Sequence, residues 1–398
     1  MGAALALLPT RPLERQPDMS DTSLPRPCAR PASNAESLLV YRDRLGVPSE
    51  IQFLRRQYVA FTRLSPIWVG RHVMKDAPLL GGKVLRLGGG GQPTGWLERL
   101  LFRQAGRVPH LDIGPTANVL HAQFARGGAL ALPLAQSLGK RLVVTLHGGD
   151  MSKTRNWHGT LQSRRWPAVV AAAARFVCVS AAVADMALAH GVPQTKIVVL
   201  PIGVEPPDRP PAPPAGPPAH LFVGRFVPKK GIEVLADAVR GIRAAGKSIR
   251  VVCIGDGPLR PILEAAARDT GSIELTGWLP PEAVARRMAD AWSLLVPSVV
   301  APGGDAEGLP SVIAEAMAQA CPVIGSDEGG IAEVVEHSRT GLLVPPGDAV
   351  ALADAMQQLA SQPEFRHALG LAAFAFASEH LNAHVQSAAL ENLLLSEA

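Results

Sequence analysis

Apolar positions in this chain fall into short continuous runs separated by segments with helical spacing. Before residue 206 the runs are SLLVYR from Ser37, SPIWVG from Ser65, NVLHAQF from Asn118, RLVVTLH from Arg141, RFVCVS from Arg175 and KIVVLP from Lys196. After residue 218 they resume as HLFVGR from His220, IRVVCIG from Ile249, SIELTG from Ser272, WSLLVP from Trp292, PVIGS from Pro322 and GLLVPP from Gly341. Strands that are apolar on both faces and alternate with helices predict parallel sheets covered on both sides. Residues 206–218, PPDRPPAPPAGPP, hold eight prolines in thirteen positions and predict a stiff linker. The expected architecture is therefore α/β: two Rossmann-like domains, 35–205 and 219–378, facing across a cleft. Residues 363–395 read as two or three helices, and the last, within 379–398, is long enough to return to the first domain. Residues 1–34, rich in Pro, Arg and Ala without periodicity, read as a disordered leader in which Met19 is an alternative start to Met1.

Ligands of open parallel sheets sit beyond the carboxyl ends of the strands. The loops to search are thus those holding His147 to Asp150, Gly224 and Arg225, Gly255 to Gly257, and Glu307 to Leu309. In GRFVPKKG, Arg225 leaves a strand, and Lys229 and Lys230 precede Gly231 at the start of a helix. Cations beside free backbone N–H groups make a cradle for a diphosphate, although a lysine-rich loop can also simply solvate a surface. GDGPLR lacks the third glycine of a dinucleotide fingerprint, which argues against a nicotinamide oxidoreductase. In EGLPSVIAE, Pro310 fits the first helical position, so Glu307 lies in the loop and Glu315 about a turn and a half inside the helix. The helix dipole would account for Glu307 alone. It does not account for Glu315, which sits among Val312, Ile313, Ala314, Ala316 and Met317 and needs a partner; a ribose diol is a suitable one.

Charge divides the chain. Residues 1–200 carry 25 Lys and Arg against 11 Asp and Glu, a net of +14, while residues 201–398 carry 14 against 23, a net of −9. A basic half favours an anionic partner: a phosphorylated substrate, an acidic membrane face or nucleic acid. Nucleic acid is disfavoured by an aromatic content of 5% with two tyrosines, too few for stacking platforms. The helix beginning near Ser49 sets Ile51, Leu54, Tyr58 and Phe61 on one stripe beside Arg55, Arg56 and Arg63. Such a helix can lie on an anionic membrane, or the stripe can be core contact. No apolar run reaches the roughly 18 to 20 residues that span a bilayer, and the amino end lacks a basic n-region, so a cytoplasmic protein is expected. Cys28, Cys178, Cys253 and Cys321 are scattered, as expected of reduced thiols and not of a zinc site or disulfides.

EGLPSVIAEAMAQACPVIGSDEGGIAEVVEHSRTGLLVPPGD, residues 307–348, resembles the signature of group 1 glycosyltransferases, retaining enzymes of GT-B fold with two glutamates eight positions apart. GRFVPKKG, the GDGP turn, TGWLP at 276–280 and the Pro-Ser at 297–298 match that family in order and spacing. In the first half, HAQFARGG and VVTLHGGD are similar to members that act in exopolysaccharide or lipopolysaccharide assembly. The resemblance covers roughly residues 37–395 and is more specific after the linker.

It implies that Glu307 contacts hydroxyls of the donor sugar and that the backbone of Gly308 and Leu309 supports sugar and diphosphate. Glu315 would hold the ribose, Arg225 and Lys230 the diphosphate, Gly224 and Gly255 the same nucleotide, and Gly277 to Leu279 the base. His147 would reach over the reacting sugar. The implied reaction is retaining transfer of a hexosyl group from a UDP- or GDP-sugar to a lipid-linked or polysaccharide acceptor, by front-face attack and without a metal or cofactor. Asp305 with Glu307 is the nearest approach to a metal-holding acidic pair and is better explained by sugar contact. The alternative is a nucleotide-sugar epimerase of the same fold. Many relatives carry a Gly-Gly turn after the first strand, whereas here VYRDRLGVPSEIQFLRRQ offers only Gly46 and the Ser49-Glu50 pair. Gly88 to Gly91 comes too late to replace that turn and reads as a flexible loop. Ser49, Glu50 and Asp150 are the acceptor-side candidates, with His158, Arg164 and Arg165 behind them. The inner face of the cytoplasmic membrane is a further expected partner.

Overall fold

The computed structural model describes residues 35–88, 95–109, 111, 113–212 and 219–396. The leader, Cys28, the end of the proline-rich stretch and Gly89 to Gly91 lie outside the described residues. All twelve apolar runs form strands, in two parallel sheets. The first sheet has seven strands in the order Lys83–Arg86, Leu64–Gly70, Glu36–Tyr41, Val119–Gln123, Arg141–Leu146, Ala173–Cys178 and Ile197–Val199. The second has six, in the order Ile273–Gly277, Val251–Ile254, His220–Val223, Ser293–Val296, Val323–Ser326 and Gly341–Val344. In each sheet the winding reverses beside the first strand: between Glu36–Tyr41 and Val119–Gln123 in one, and between His220–Val223 and Ser293–Val296 in the other. These are the places where the connections diverge and leave a crevice. The edge strand Lys83–Arg86 escapes the hydrophobic pattern because none of its residues is fully buried.

The continuous runs follow from burial on both faces. Leu39 and Tyr41 pack with Leu120, Val144 and the helix Ala125–Ser137, whereas Leu38 and Val40 pack on the opposite face with Trp68, Val143 and Val177. The second face is closed by the last helix, Ala383–Leu395, whose Leu390 and Leu394 are buried in the first domain. Each contributes about 1.5–3 kcal/mol of apolar burial. Glu391 of that helix is 3% exposed, and its Oε1 accepts hydrogen bonds from the backbone N–H groups of Thr62, Arg63 and Leu64 at 2.9, 2.8 and 2.8 Å. The chain passes between domains at two adjacent points. The Val204 N–H donates to the Leu381 carbonyl at 2.7 Å, and the Ala383 N–H donates to the Val204 carbonyl at 2.7 Å.

Burial corrects one expectation. Leu54, Tyr58 and Phe61 are buried and Ile51 is half-buried in the core shared with the last helix, so this stripe does not face a membrane. The helix itself, Pro48–Arg56, starts and ends close to where its proline and its arginines place it. Cys178, Cys253 and Cys321 are buried and unpaired. Among the described residues no helix is long and apolar enough to cross a membrane.

Candidate active site

The crevice of the second sheet is lined by residues 224–231 after one strand and 297–310 after its neighbour. Lys229 and Lys230 occupy a single 3-10 turn, Pro228–Lys230, which Gly231 ends in a left-handed conformation at φ 66°. A Cβ on Gly231 would lie 1.7 Å from the Pro297 carbonyl oxygen, so the turn can lie against the opposite loop only with glycine there. This contact brings both lysines onto Glu307: Lys230 Nζ is 3.1 Å and Lys229 Nζ 3.4 Å from Glu307 Oε1. Lys229, 8% exposed, also faces Asp305 Oδ1 at 3.3 Å and donates to the Ala306 carbonyl at 3.3 Å. Burial alone would raise the pKa of Glu307, but the charges of Lys230 and Lys229 outweigh it and hold the carboxyl below its ordinary value. Glu307 Oε1 is buried and ion-paired, yet receives no well-aligned hydrogen bond.

Beside this cluster the backbone is bare. A Cβ on Gly255 would lie 1.9 Å from the Gly224 carbonyl oxygen, and the Gly255 N–H donates to the Gly277 carbonyl at 2.9 Å. The three glycines picked from the sequence thus form one shelf across the carboxyl ends of three adjacent strands. Trp278, 58% exposed, and half-buried Leu279 follow it. Arg225 is exposed, and its guanidinium has no side-chain partner among the described residues.

The first domain closes over this crevice through His147 to Thr154. A Cβ on Gly148 would lie 2.5 Å from the Cα of Gly308, and one on Gly308 would lie 2.5 Å from the His147 carbonyl oxygen, so two backbones touch across the domain boundary. Lys153 Nζ lies 3.2 Å from Asp305 Oδ2, and the Thr154 N–H donates to the Gly303 carbonyl at 2.9 Å. Glu333 accepts from the N–H groups of Ala181 and Ala182, both at 2.7 Å, at the start of the first-domain helix Ala181–Ala189. The Leu309 side chain packs against the cores of both domains. The His147 and Gly148 backbone is therefore brought against Gly308, next to the glutamate that pairs with Lys230.

His147 ends a buried polar chain. Its Nε2 donates to Gln123 Oε1 at 2.8 Å, and Gln123 Nε2 donates to the Tyr58 hydroxyl at 2.7 Å. The Tyr58 hydroxyl donates to His121 Nδ1 at 2.7 Å, and His121 Nε2 donates to Thr145 Oγ1 at 2.7 Å. Gln123 presents its amide oxygen to His147, so Nε2 carries the ring proton and, in a neutral ring, Nδ1 is left as an acceptor. Burial, with Arg42 and His121 adding to it, pushes the His147 pKa down to about 3, so the ring is neutral. The ring lies 4.2 Å from that of Phe124, which is itself covered by the Arg42 guanidinium at 4.1 Å.

Several sequence-based assignments change. Asp150 is not an open acceptor-side group: Oδ2 accepts from the Ala125 N–H at 2.7 Å and Oδ1 from the His147 N–H at 3.0 Å, bracing the loop. Burial pushes its pKa up, against those backbone donors. Glu50 is taken up by a bidentate pair with Arg42 at 2.9 and 2.8 Å, while Ser49 is exposed. Arg164 and Arg165 donate to the carbonyls of Gly159 and Ala129, both at 3.2 Å, and His158 is exposed. Asp305, expected at the sugar, pairs with Lys153 and Lys229 at 3.2 and 3.3 Å. Glu315 does have a partner in the protein, Arg56 Nη1 at 2.7 Å, across the domain boundary. No local signal couples residues 259 positions apart. Gln123, Phe124 and Lys153 were missed for the same reason.

Comparison with known proteins agrees with this fold. The family profile described as "Glycosyl transferases group 1" matches residues 217–362, and that described as "Glycosyltransferase Family 4" matches residues 70–207. The amylovoran biosynthesis glycosyltransferase AmsK of Erwinia amylovora is 31% identical over 296 residues, 70% of this chain and 70% of that protein. Among solved structures, HepE of Anabaena in complex with UDP superposes with a TM-score of 0.68 at 17% identity, covering 90% of this chain and 99% of HepE. The sucrose-phosphate synthase of Thermosynechococcus elongatus gives a TM-score of 0.68 at 22% identity, covering 90% and 98%. Twin sheets of Rossmann order, closed on each other at a lysine-paired glutamate, and similarity extending through both halves make this chain a glycosyltransferase of GT-B fold, a member of the group 1 family.

Proposed function

We propose that the enzyme is a retaining hexosyltransferase that takes its sugar from a UDP- or GDP-sugar and adds it to a lipid-linked or polysaccharide acceptor during exopolysaccharide or cell-surface glycan assembly. Its place is the cytoplasm, at the inner face of the membrane, where nucleotide-activated sugars are at hand. The observation that carries the reading is Glu307: its carboxyl is held below the ordinary value, its side chain is 11% exposed and paired with Lys229 and Lys230, and its backbone lies against Gly148 of the first domain. A buried carboxylate in that state is suited to accept hydrogen bonds from sugar hydroxyls. The AmsK name and the UDP bound by HepE support the glycan product and the nucleotide donor respectively.

Cleavage of the anomeric carbon–phosphate bond leaves an oxocarbenium-like sugar and a growing diphosphate charge. Arg225, exposed and without a protein partner among the described residues, and Lys230 supply positive charge to meet it, in a step that uses no metal. Neutral His147 offers Nδ1 as an acceptor to a sugar hydroxyl, and the glycine shelf lets the nucleotide approach the backbone. The leaving phosphate oxygen takes the acceptor proton on the same face, which preserves the anomeric configuration; Glu307 positions the sugar and forms no bond to it. Glu315 reads the ribose once Arg56 yields, and Trp278 offers its face to the base.

The test is calorimetric binding of UDP, GDP and ADP in EDTA, with Arg225→Ala as control, followed by NMR assignment of the anomeric configuration of the product. One diphosphate bound by the parent and lost in the mutant is expected, with a retained anomer. An inverted anomer overturns retention, and epimerised donor formed without acceptor overturns transfer.

A further inference from the structure

The first domain holds a second feature that the donor site does not use. An open cavity of about 710 Å³ lies at the carboxyl edge of its sheet, and five arginines line it: Arg44, Arg71, Arg99, Arg103 and Arg126. The single carboxylate among the described lining residues is Asp43, which Arg71 engages at 2.6 and 2.8 Å and Arg126 approaches at 3.8 Å. Arg99 donates to the Gly88 carbonyl at 3.1 Å. Arg44 and Arg103 are exposed, and their guanidinium groups have no partner among the described residues. One carboxylate against five guanidiniums leaves a strong positive field in a concave wall, which focuses anions. His72 in the same wall is held below the ordinary histidine value by burial first and then by Arg71, Arg44 and Arg99, against the opposing charge of Asp43.

Apolar groups share the cavity. Met74, Trp96 and Leu100 line it and are 37, 62 and 41% exposed. An exposed tryptophan and leucine beside arginines offer apolar surface that a free inorganic anion would leave unused. The combination suits an amphiphilic anion, a phosphate or diphosphate joined to a hydrocarbon chain. The position is also informative. Asp43 follows Arg42, whose guanidinium covers Phe124 at 4.1 Å; Phe124 in turn lies 4.2 Å from the His147 ring and is two residues before Arg126. An anionic head group in the cavity would set a sugar attached to it towards the donor site.

We propose that this cavity binds the phosphate or diphosphate of a lipid-linked acceptor and lays the start of its hydrocarbon chain along Trp96 and Leu100. The proposal rests on the first domain being the acceptor side of the reaction above. Its test is calorimetry with dispersed farnesyl diphosphate, inorganic pyrophosphate and phosphatidylglycerol vesicles, on the parent and on R44Q/R103Q, in the presence of saturating nucleoside diphosphate. Both exchanged side chains are exposed and unpartnered among the described residues, so the variant should fold. Farnesyl diphosphate is expected to bind at least about tenfold tighter than pyrophosphate, to weaken at least about tenfold in the variant, and to weaken as salt rises. UDP or GDP affinity, measured separately, is expected to be the same in parent and variant. Equal farnesyl diphosphate affinity in the two proteins overturns the proposal. So does equal affinity for farnesyl diphosphate and pyrophosphate, binding to vesicles only, or loss of nucleotide affinity in the variant, which would make the arginines part of the donor site. A parent that binds farnesyl diphosphate as stated but no nucleoside diphosphate refutes the donor reading and leaves the cavity assignment standing.

Discussion

Exchanging Glu307 for glutamine keeps the size of the side chain and removes its charge. Lys229 retains Asp305 at 3.3 Å, whereas Lys230 loses its one carboxylate among the described residues, 3.1 Å away. Removing one partner of a buried pair costs about 3–5 kcal/mol. With the Lys230 side chain 16% exposed, water can reach the orphaned ammonium, so a loss near the lower limit, about 3 kcal/mol, is expected. The effect on transfer is larger. Two charge-assisted hydrogen bonds to sugar hydroxyls, at about 1.5–3 kcal/mol each, correspond to roughly 10² to 10⁴ in kcat/KM at ~1.4 kcal/mol per tenfold. Nucleoside diphosphate affinity should move the other way, holding or rising up to about tenfold, because the freed Lys230 can serve the diphosphate alone. Single-turnover transfer, calorimetry and urea unfolding on one preparation separate the three effects. Transfer within tenfold of the parent would refute the sugar-reading role, and so would nucleotide affinity that falls in step with transfer.

Other perturbations probe the frame around the site. Glu391→Ala leaves three backbone N–H groups without their acceptor and should destabilise the first domain by about 3 kcal/mol, read as a lowered urea midpoint; a change under about 1 kcal/mol would contradict the anchoring role of the last helix. Arg56→Ala releases Glu315 from a pair at 2.7 Å and should raise nucleoside diphosphate affinity by up to about tenfold, whereas a fall equal to that of Glu315→Ala would show that Arg56 itself serves the ligand. His121, His147 and His220 all have pKa values pushed down to about 3 by burial from an ordinary 6.5. The unfolded chain then binds protons that the folded one refuses, so stability is full above pH 6.5 and falls as pH drops, with a slope approaching about 4 kcal/mol per pH unit near pH 5.5. A flat urea midpoint from pH 7 to 5 would contradict the burial of these rings.

Much of the fold was legible because its signal is local. A strand buried on both faces must be apolar at every position, which is why Leu38 to Tyr41 or Val251 to Ile254 announce themselves as continuous runs. The turn glycines were legible for a related reason. A backbone approach as close as that of Gly255 to the Gly224 carbonyl admits no side chain whatever else the fold does. The short edge strand Lys83–Arg86 was not legible, since an edge exposes half its surface and needs no apolar pattern. Nor could the stripe of Ile51, Leu54, Tyr58 and Phe61 say by itself whether lipid or protein covers it. Periodicity defines a face, and the last helix, some 330 residues away, supplies the cover.

The sequence by itself therefore determined the two sheets, the loops that end their strands, and the residue types able to bind a diphosphate and a sugar. Only the tertiary structure decided which of those residues meet. Glu307 acquires its charge state from Lys229 and Lys230 through the contact of Gly231 with Pro297, and Glu315 meets Arg56 because the domains close. His147 owes its neutral ring to burial and its free acceptor nitrogen to Gln123, which comes from a separate segment. Periodicity and propensity act over a few residues of chain, whereas ionisation and hydrogen-bond order depend on charges and donors within a few ångströms in space.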